Sequence, residues 1–116
     1  MTEGDVVLTP LPQADGQVKN RPAVALRAMP PRGDLLVCGV STQLHHESQG
    51  FDEVIQPGDP DFAASGLKAA SLIRLGFLAV LPVRSFLGSV GSISPERHRR
   101  LVQRLSEYLV RGREGG

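Results

Sequence analysis

Ser94-Pro-Glu-Arg97-His-Arg-Arg100-Leu101-Val-Gln-Arg104-Leu105-Ser-Glu-Tyr108-Leu-Val-Arg111 reads as a long amphipathic helix, and everything before it reads as strands and turns. Ser94 suits the N-cap and Pro95 the first helical position, while Glu96 lies in the first turn, where the helix dipole favours a carboxylate. Leu101, Leu105 and Tyr108, with Val102 and Leu109, recur at helical spacing and predict one apolar, core-facing stripe. Arg97, Arg100, Arg104 and Arg111 fall on a narrow second stripe, which reads as a solvated face or as a contact for RNA or a partner. Gly112 predicts the end of the helix at about residue 111.

Upstream, the chain is cut into short apolar runs. Asp5 to Thr9 is β-rich and closed by Pro10 and Pro12. Ala14-Asp15-Gly16-Gln17 is turn chemistry. Pro22 to Met29 alternates weakly and stops at Pro30-Pro31, and Arg32-Gly33-Asp34 turns the chain into a third strand, Leu35 to Val40. A polar loop, Ser41 to Gly50, precedes a short strand around Glu53-Val54-Ile55, and Pro57 to Asp61 is another turn. Ser71 to Leu75 and Phe77 to Val83 read as two strand segments kinked at Gly76, where a missing Cβ permits a bulge. Thirteen glycines and nine prolines are spread along the chain rather than clustered, as expected for many turns between short strands. The expectation is mainly β with a C-terminal helix (α+β): a small, partly open β-barrel in one domain spanning 1–116, with the barrel at about 4–93 and the helix at about 95–111.

At 116 residues the chain has room for one ordinary domain. Four Phe, one Tyr and no Trp argue against a stacking platform that needs several exposed rings. Cys38, the single cysteine, lies in an apolar run and reads as a small buried hydrophobe. No apolar stretch approaches the roughly 20 residues of a membrane span, and Met1-Thr-Glu-Gly-Asp5 lacks the basic and apolar regions of a signal peptide, so a cytoplasmic location is expected. The net charge of +1 hides an asymmetry: residues 1–66 carry four Lys/Arg against nine Asp/Glu, residues 67–116 nine against three. The basic half is a candidate anion-facing surface.

Familiar enzyme signatures are missing: no P-loop, no paired-glycine dinucleotide motif, no His-Glu-x-x-His and no nucleophile elbow. Asp59-Pro60-Asp61 reads as a turn rather than a metal site. His45-His46-Glu47 is a poor ligand set, because adjacent side chains on an extended segment diverge. No cofactor or metal is expected. Five short motifs stand out together: Gly4-Asp5-Val6-Val7 at the start, Lys19-Asn20-Arg21-Pro22 before the second strand, Val40-Ser41-Thr42-Gln43 after the third, Ser65-Gly66-Leu67-Lys68 leading into the strand with Ile73-Arg74, and Gly91-Ser-Ile-Ser94-Pro-Glu96 before the helix. In that order and spacing, from about Gly4 to Leu109, the chain resembles the MazF/PemK family of toxin ribonucleases.

That resemblance implies an SH3-like barrel of the CcdB/PemK type, a homodimer with single-stranded RNA across its interface, metal-independent sequence-selective cleavage, and a MazE-like antitoxin that blocks the site with an extended tail. It also implies the site. Arg21 matches the family's Arg-Pro position, and its planar cationic fork suits phosphoryl oxygens; with a pKa above about 12, electrostatic stabilisation is its physical role. Ser41 matches the hydroxyl residue after the third strand, and Thr42 and Gln43 continue the match. Lys19, Lys68 and Arg74 are further candidates for substrate contact.

Two departures stand beside the match. Several relatives carry an acidic residue followed by Gln ahead of the later Arg-containing strand, where this chain has Ser71-Leu72. Some also have a His before the Arg-Pro pair, and residues 14–18 contain none. An imidazole suits proton transfer near neutral pH, so His45 or His46, close after Ser41, is the candidate acid or base. A domain of the same fold that binds RNA or protein but cleaves weakly or not at all is the alternative. A gyrase-type protein poison is disfavoured, since such relatives end in an aromatic-containing tail and this chain ends Arg111-Gly-Arg-Glu-Gly-Gly.

Overall fold

Alternation along the central strands explains the architecture. In the computed structural model, which describes residues 1–12 and 14–114, β2 (Val18–Met29) pairs antiparallel with β1 (Asp5–Pro12) on one side and β3 (Asp34–Ser41) on the other. Strand β5 (Ser71–Leu81) joins β3, and the short β4 (Glu53–Ile55) and β6 (Gly88–Ser92) form the edges. The order is β4-β5-β3-β2-β1-β6. This is a mainly antiparallel, curled six-stranded sheet with two helices, α1 (Phe62–Ser65) and the C-terminal α2 (Pro95–Glu114).

Strands with a period of two bury alternate residues on opposite faces, and here both faces carry a buried cluster. Val6, Val24, Leu26, Cys38, Val40, Ile55, Ile73 and Leu75 form one cluster, capped by Leu101 and Leu105 of α2. Val7, Ala23, Ala25, Leu35, Val37 and Phe86 form the second, on the opposite face. Cys38 is fully buried as expected, and burial pushes its thiol up to about 12. No helix among the described residues is long and apolar enough to cross a membrane.

Several extents differ from the sequence reading, and β2 begins at Val18 rather than Pro22, so Lys19, Asn20 and Arg21 lie inside the strand rather than before it. Strand β1 does not stop at Pro10 but runs on, with Pro10 opposite Asn20 and Pro12 opposite Val18. The β6 pairing ends at Leu8, whose carbonyl accepts the Leu87 N–H on the side away from β2. Residues 10 and 12 share that orientation, so their missing N–H groups fall on an edge with no ladder to interrupt. Helix α2 passes through Gly112 to Glu114, since an exposed Gly costs a helix only about 1 kcal/mol. Its apolar stripe leaves the core early: Leu101 and Leu105 are buried, but Leu109 is 67% exposed, and Tyr108 is exposed with its ring 4.9 Å from that of Phe51.

The helix start is as expected. Ser94 Oγ accepts the Arg97 N–H at 3.1 Å, and Asp61 Oδ2 accepts the Ser94 N–H at 3.0 Å. Gly66 ends α1 with φ of +74°, and a side chain there would collide with the Val90 carbonyl, so α1 seats directly on β6.

Candidate functional site

Strand register brings several of the candidate residues to one face. Arg21 stands opposite Thr9, Ala23 opposite Gly39, and Gly39 opposite Arg74. Directly paired residues project to the same side of a sheet, and so do residues two apart on one strand. Arg21 and Arg74 therefore share the face of the second core cluster, and Ser41 and Lys19 join them by alternation along β3 and β2. Arg21 and Ser41 are half-buried, and Lys19 is exposed.

The end of β3 is fixed locally. Ser41 Oγ accepts the Gln43 N–H at 3.0 Å, which leaves the hydroxyl proton to be donated elsewhere. Thr42 and Gln43 are exposed, and a single 3-10 turn, Leu44–His46, follows at once. It presents His45 and His46 to solvent with ring centroids 4.3 Å apart. Lys68 lies outside the ladder, exposed on the connection from α1 to β5. Ser71 is buried and donates its hydroxyl to the Ala69 carbonyl at 2.8 Å, and Leu72 is fully buried. Neither supplies the missing carboxylate.

Two features of this face lay beyond the sequence reading. Thr9 is fully buried across from Arg21, and its Oγ1 has no hydrogen-bond partner among the described residues. Phe77 stands over Gly39, where an added Cβ would meet the ring at 2.5 Å, and the Arg74 guanidinium carbon lies 5.9 Å from the ring centroid.

The helix arginines have a different fate. Arg97 is buried and holds Asp61 with two bonds, from Nε at 2.8 Å and Nη2 at 3.0 Å. It also reaches Glu53 at 2.7 Å and Asp59 at 3.1 Å. Arg100 and Arg104 pair with the same Glu53, at 2.9 and 3.1 Å. Three members of the basic stripe thus neutralise carboxylates from the acidic half of the chain, beside an open cleft of about 440 Å³. The Arg97 guanidinium holds the Asp61 carboxyl down at about 2, against burial. Burial pushes Glu53 up, but Arg100, Arg104 and Arg97 together bring it below the ordinary range. Asp59 and Asp61, a simple turn by sequence, are two of the three carboxylates of an ionic knot centred on the buried Arg97. Among the described residues no group of three or more His, Cys, Asp or Glu could hold a metal ion.

No protein-family model matches the chain, and no curated protein matches it.

Proposed function

We propose that the protein is a toxin-type endoribonuclease of the MazF/PemK kind, cutting single-stranded RNA without a metal. In this reading the sheet and helix are an SH3-like barrel of the CcdB/PemK type, working as a homodimer and held inactive by a MazE-like antitoxin. The observation that carries the proposal is the shared face of Arg21, Ser41 and Arg74, set by the β1-β2-β3-β5 register.

The chemistry needs little machinery. The ribose 2′-hydroxyl attacks the adjacent phosphorus, the bond from phosphorus to the 5′-oxygen breaks, and a 2′,3′-cyclic phosphate and a 5′-hydroxyl remain. One proton leaves the 2′-oxygen and one reaches the departing 5′-oxygen. Arg21 offsets the charge that builds on the phosphoryl oxygens, where fixed donors act most strongly. Ser41 has a hydroxyl proton to give to the same phosphate. His45 and His46, on the turn directly after Ser41, are the groups for proton transfer. Lys19, Thr42, Gln43, Lys68 and Arg74 bind the flanking RNA.

The second reading is a non-catalytic RNA- or protein-binding domain. The burial of Ser71 and Leu72 where relatives place a carboxylate favours it. Cleavage by Arg21→Ala, Arg21→Lys and Ser41→Ala decides between the two. The ribonuclease reading expects Arg21→Ala to lose about 10²–10³-fold in rate, the scale of one lost charge-stabilising donor. Arg21→Lys should recover only part of it, because a point charge cannot form the bidentate contact. Equal rates in all variants would exclude this face as the active site.

A further inference from the structure

Of the four phenylalanines, Phe86 is buried and Phe51 and Phe62 pack against the core, but Phe77 is 40% exposed. An irregularity in the sheet puts it there. The β3–β5 pairing steps from Cys38 opposite Leu78 to Gly39 opposite Arg74, so Leu75, Gly76 and Phe77 are extra residues in β5. Leu75 turns into the core, and the Phe77 ring goes to the other side, over Gly39. Gly39 is required for this placement, since any side chain there would occupy the same space.

One cation stands against the ring and a second lies further along the same face. Arg74 approaches it from β5, and Arg21 lies two residues along β2 from Ala23, the partner of Gly39, a separation of about 7 Å on an extended strand. A fixed, partly solvated ring with a guanidinium against it is what unpaired nucleobases stack on. A protein segment laid across this ring would also cover the Arg74 guanidinium, and would need a carboxylate to meet it. A single nucleic-acid strand brings a phosphate with every base.

We infer that Phe77 is a stacking post for one unpaired nucleobase, with Arg74 contacting the adjoining phosphate, next to Arg21 and Ser41. The inference rests on the RNA reading above and adds where the strand is held. It differs from a multi-ring platform, which the composition already disfavours: one ring grips one base.

The test uses an uncleavable 2′-O-methyl RNA of mixed sequence and an abasic oligonucleotide of the same length, with affinity read by anisotropy and particle mass by sedimentation. Phe77→Leu should weaken 2′-O-methyl RNA binding by about 5- to 150-fold, the equivalent of one stacked base. Phe77→Trp should keep the affinity, and the two substitutions should not differ on the abasic strand. Unchanged RNA affinity in Phe77→Leu overturns the inference whether or not ordinary RNA is cut. So does a loss of affinity accompanied by a fall in particle mass, which makes the ring a protein contact. Stacking that depends on Phe77 without cleavage of ordinary RNA supports the inference while removing the catalytic reading. No binding by the unmodified protein removes both.

Discussion

Replacing Arg97 by methionine keeps most of the side-chain volume and deletes the charge at the centre of the ionic knot. The Arg97 side chain is 7% exposed, and its guanidinium bonds Asp61, Glu53 and Asp59 at 2.7–3.1 Å. Only one side of the cluster is removed, so Asp61 and Glu53 stay buried with their charges less compensated, at a cost of about 3–5 kcal/mol. The Asp61 carboxyl gives a separate measure of part of this. It is held at about 2 against an ordinary 3.8, a difference of ~2 kcal/mol between its protonation states. The two figures agree if Glu53 and Asp59 supply the rest. For a chain of this size, about 3 kcal/mol corresponds to a fall in Tm of roughly 10–20 °C. The pH dependence has a definite sign. A carboxyl whose folded pKa is depressed stabilises fully above its unfolded value and loses that contribution as pH falls through the folded one. The Asp61 share is therefore complete above pH about 4 and fades toward pH 2. Urea unfolding at pH 7, and again in steps from pH 5 to pH 2, measures both quantities for the unmodified protein, Arg97→Met and Asp61→Asn. Arg97→Met stability within 1 kcal/mol of the unmodified protein, or an unchanged acid slope in Asp61→Asn, would refute the reasoning.

Three further predictions concern the scaffold of the proposed site. Gly39→Ala should destabilise by about 1–3 kcal/mol through overpacking against the Phe77 ring, and adding Phe77→Ala should relieve most of that; additive losses in urea unfolding would contradict the contact. Thr9→Val removes a buried hydroxyl with no partner among the described residues and should leave stability unchanged or raise it by about 1 kcal/mol; a clear fall in Tm would mean the hydroxyl is bonded. Leu101→Ala should cost about 2–5 kcal/mol and Leu109→Ala less than about 0.5 kcal/mol, since the first is fully buried and the second mostly exposed; similar losses would place the end of the helix in the core.

How much of this was legible depended on whether the cause was local. The Ser94 cap and the buried Leu101 and Leu105 follow from residues within one or two turns, and the sequence showed them. Strand β6 has no apolar alternation in Gly88-Ser-Val-Gly-Ser92, and it forms because β1 offers a free edge and α1 a close backbone seat. Pro10 and Pro12 looked like a strand end because only the register reveals which way their missing donors face. The arginine stripe was plain, but its acidic partners lie 36 to 51 residues away and were unreadable. At the site, Arg21 and Ser41 stood out as motif residues. Their common face with Arg74 required the β3–β5 register, including its irregularity at Gly39. Gly76 marked the bulge in the sequence, but that three extra residues turn the Phe77 ring outward shows only in the register.

The most direct test of the ribonuclease reading is to incubate the purified protein with a mixed-sequence RNA in excess EDTA, alongside Arg21→Ala, and map every new end. Cuts at one short motif, leaving 2′,3′-cyclic phosphate and 5′-hydroxyl ends and lost in the variant, are the predicted result. Intact RNA after incubation with folded protein would contradict it.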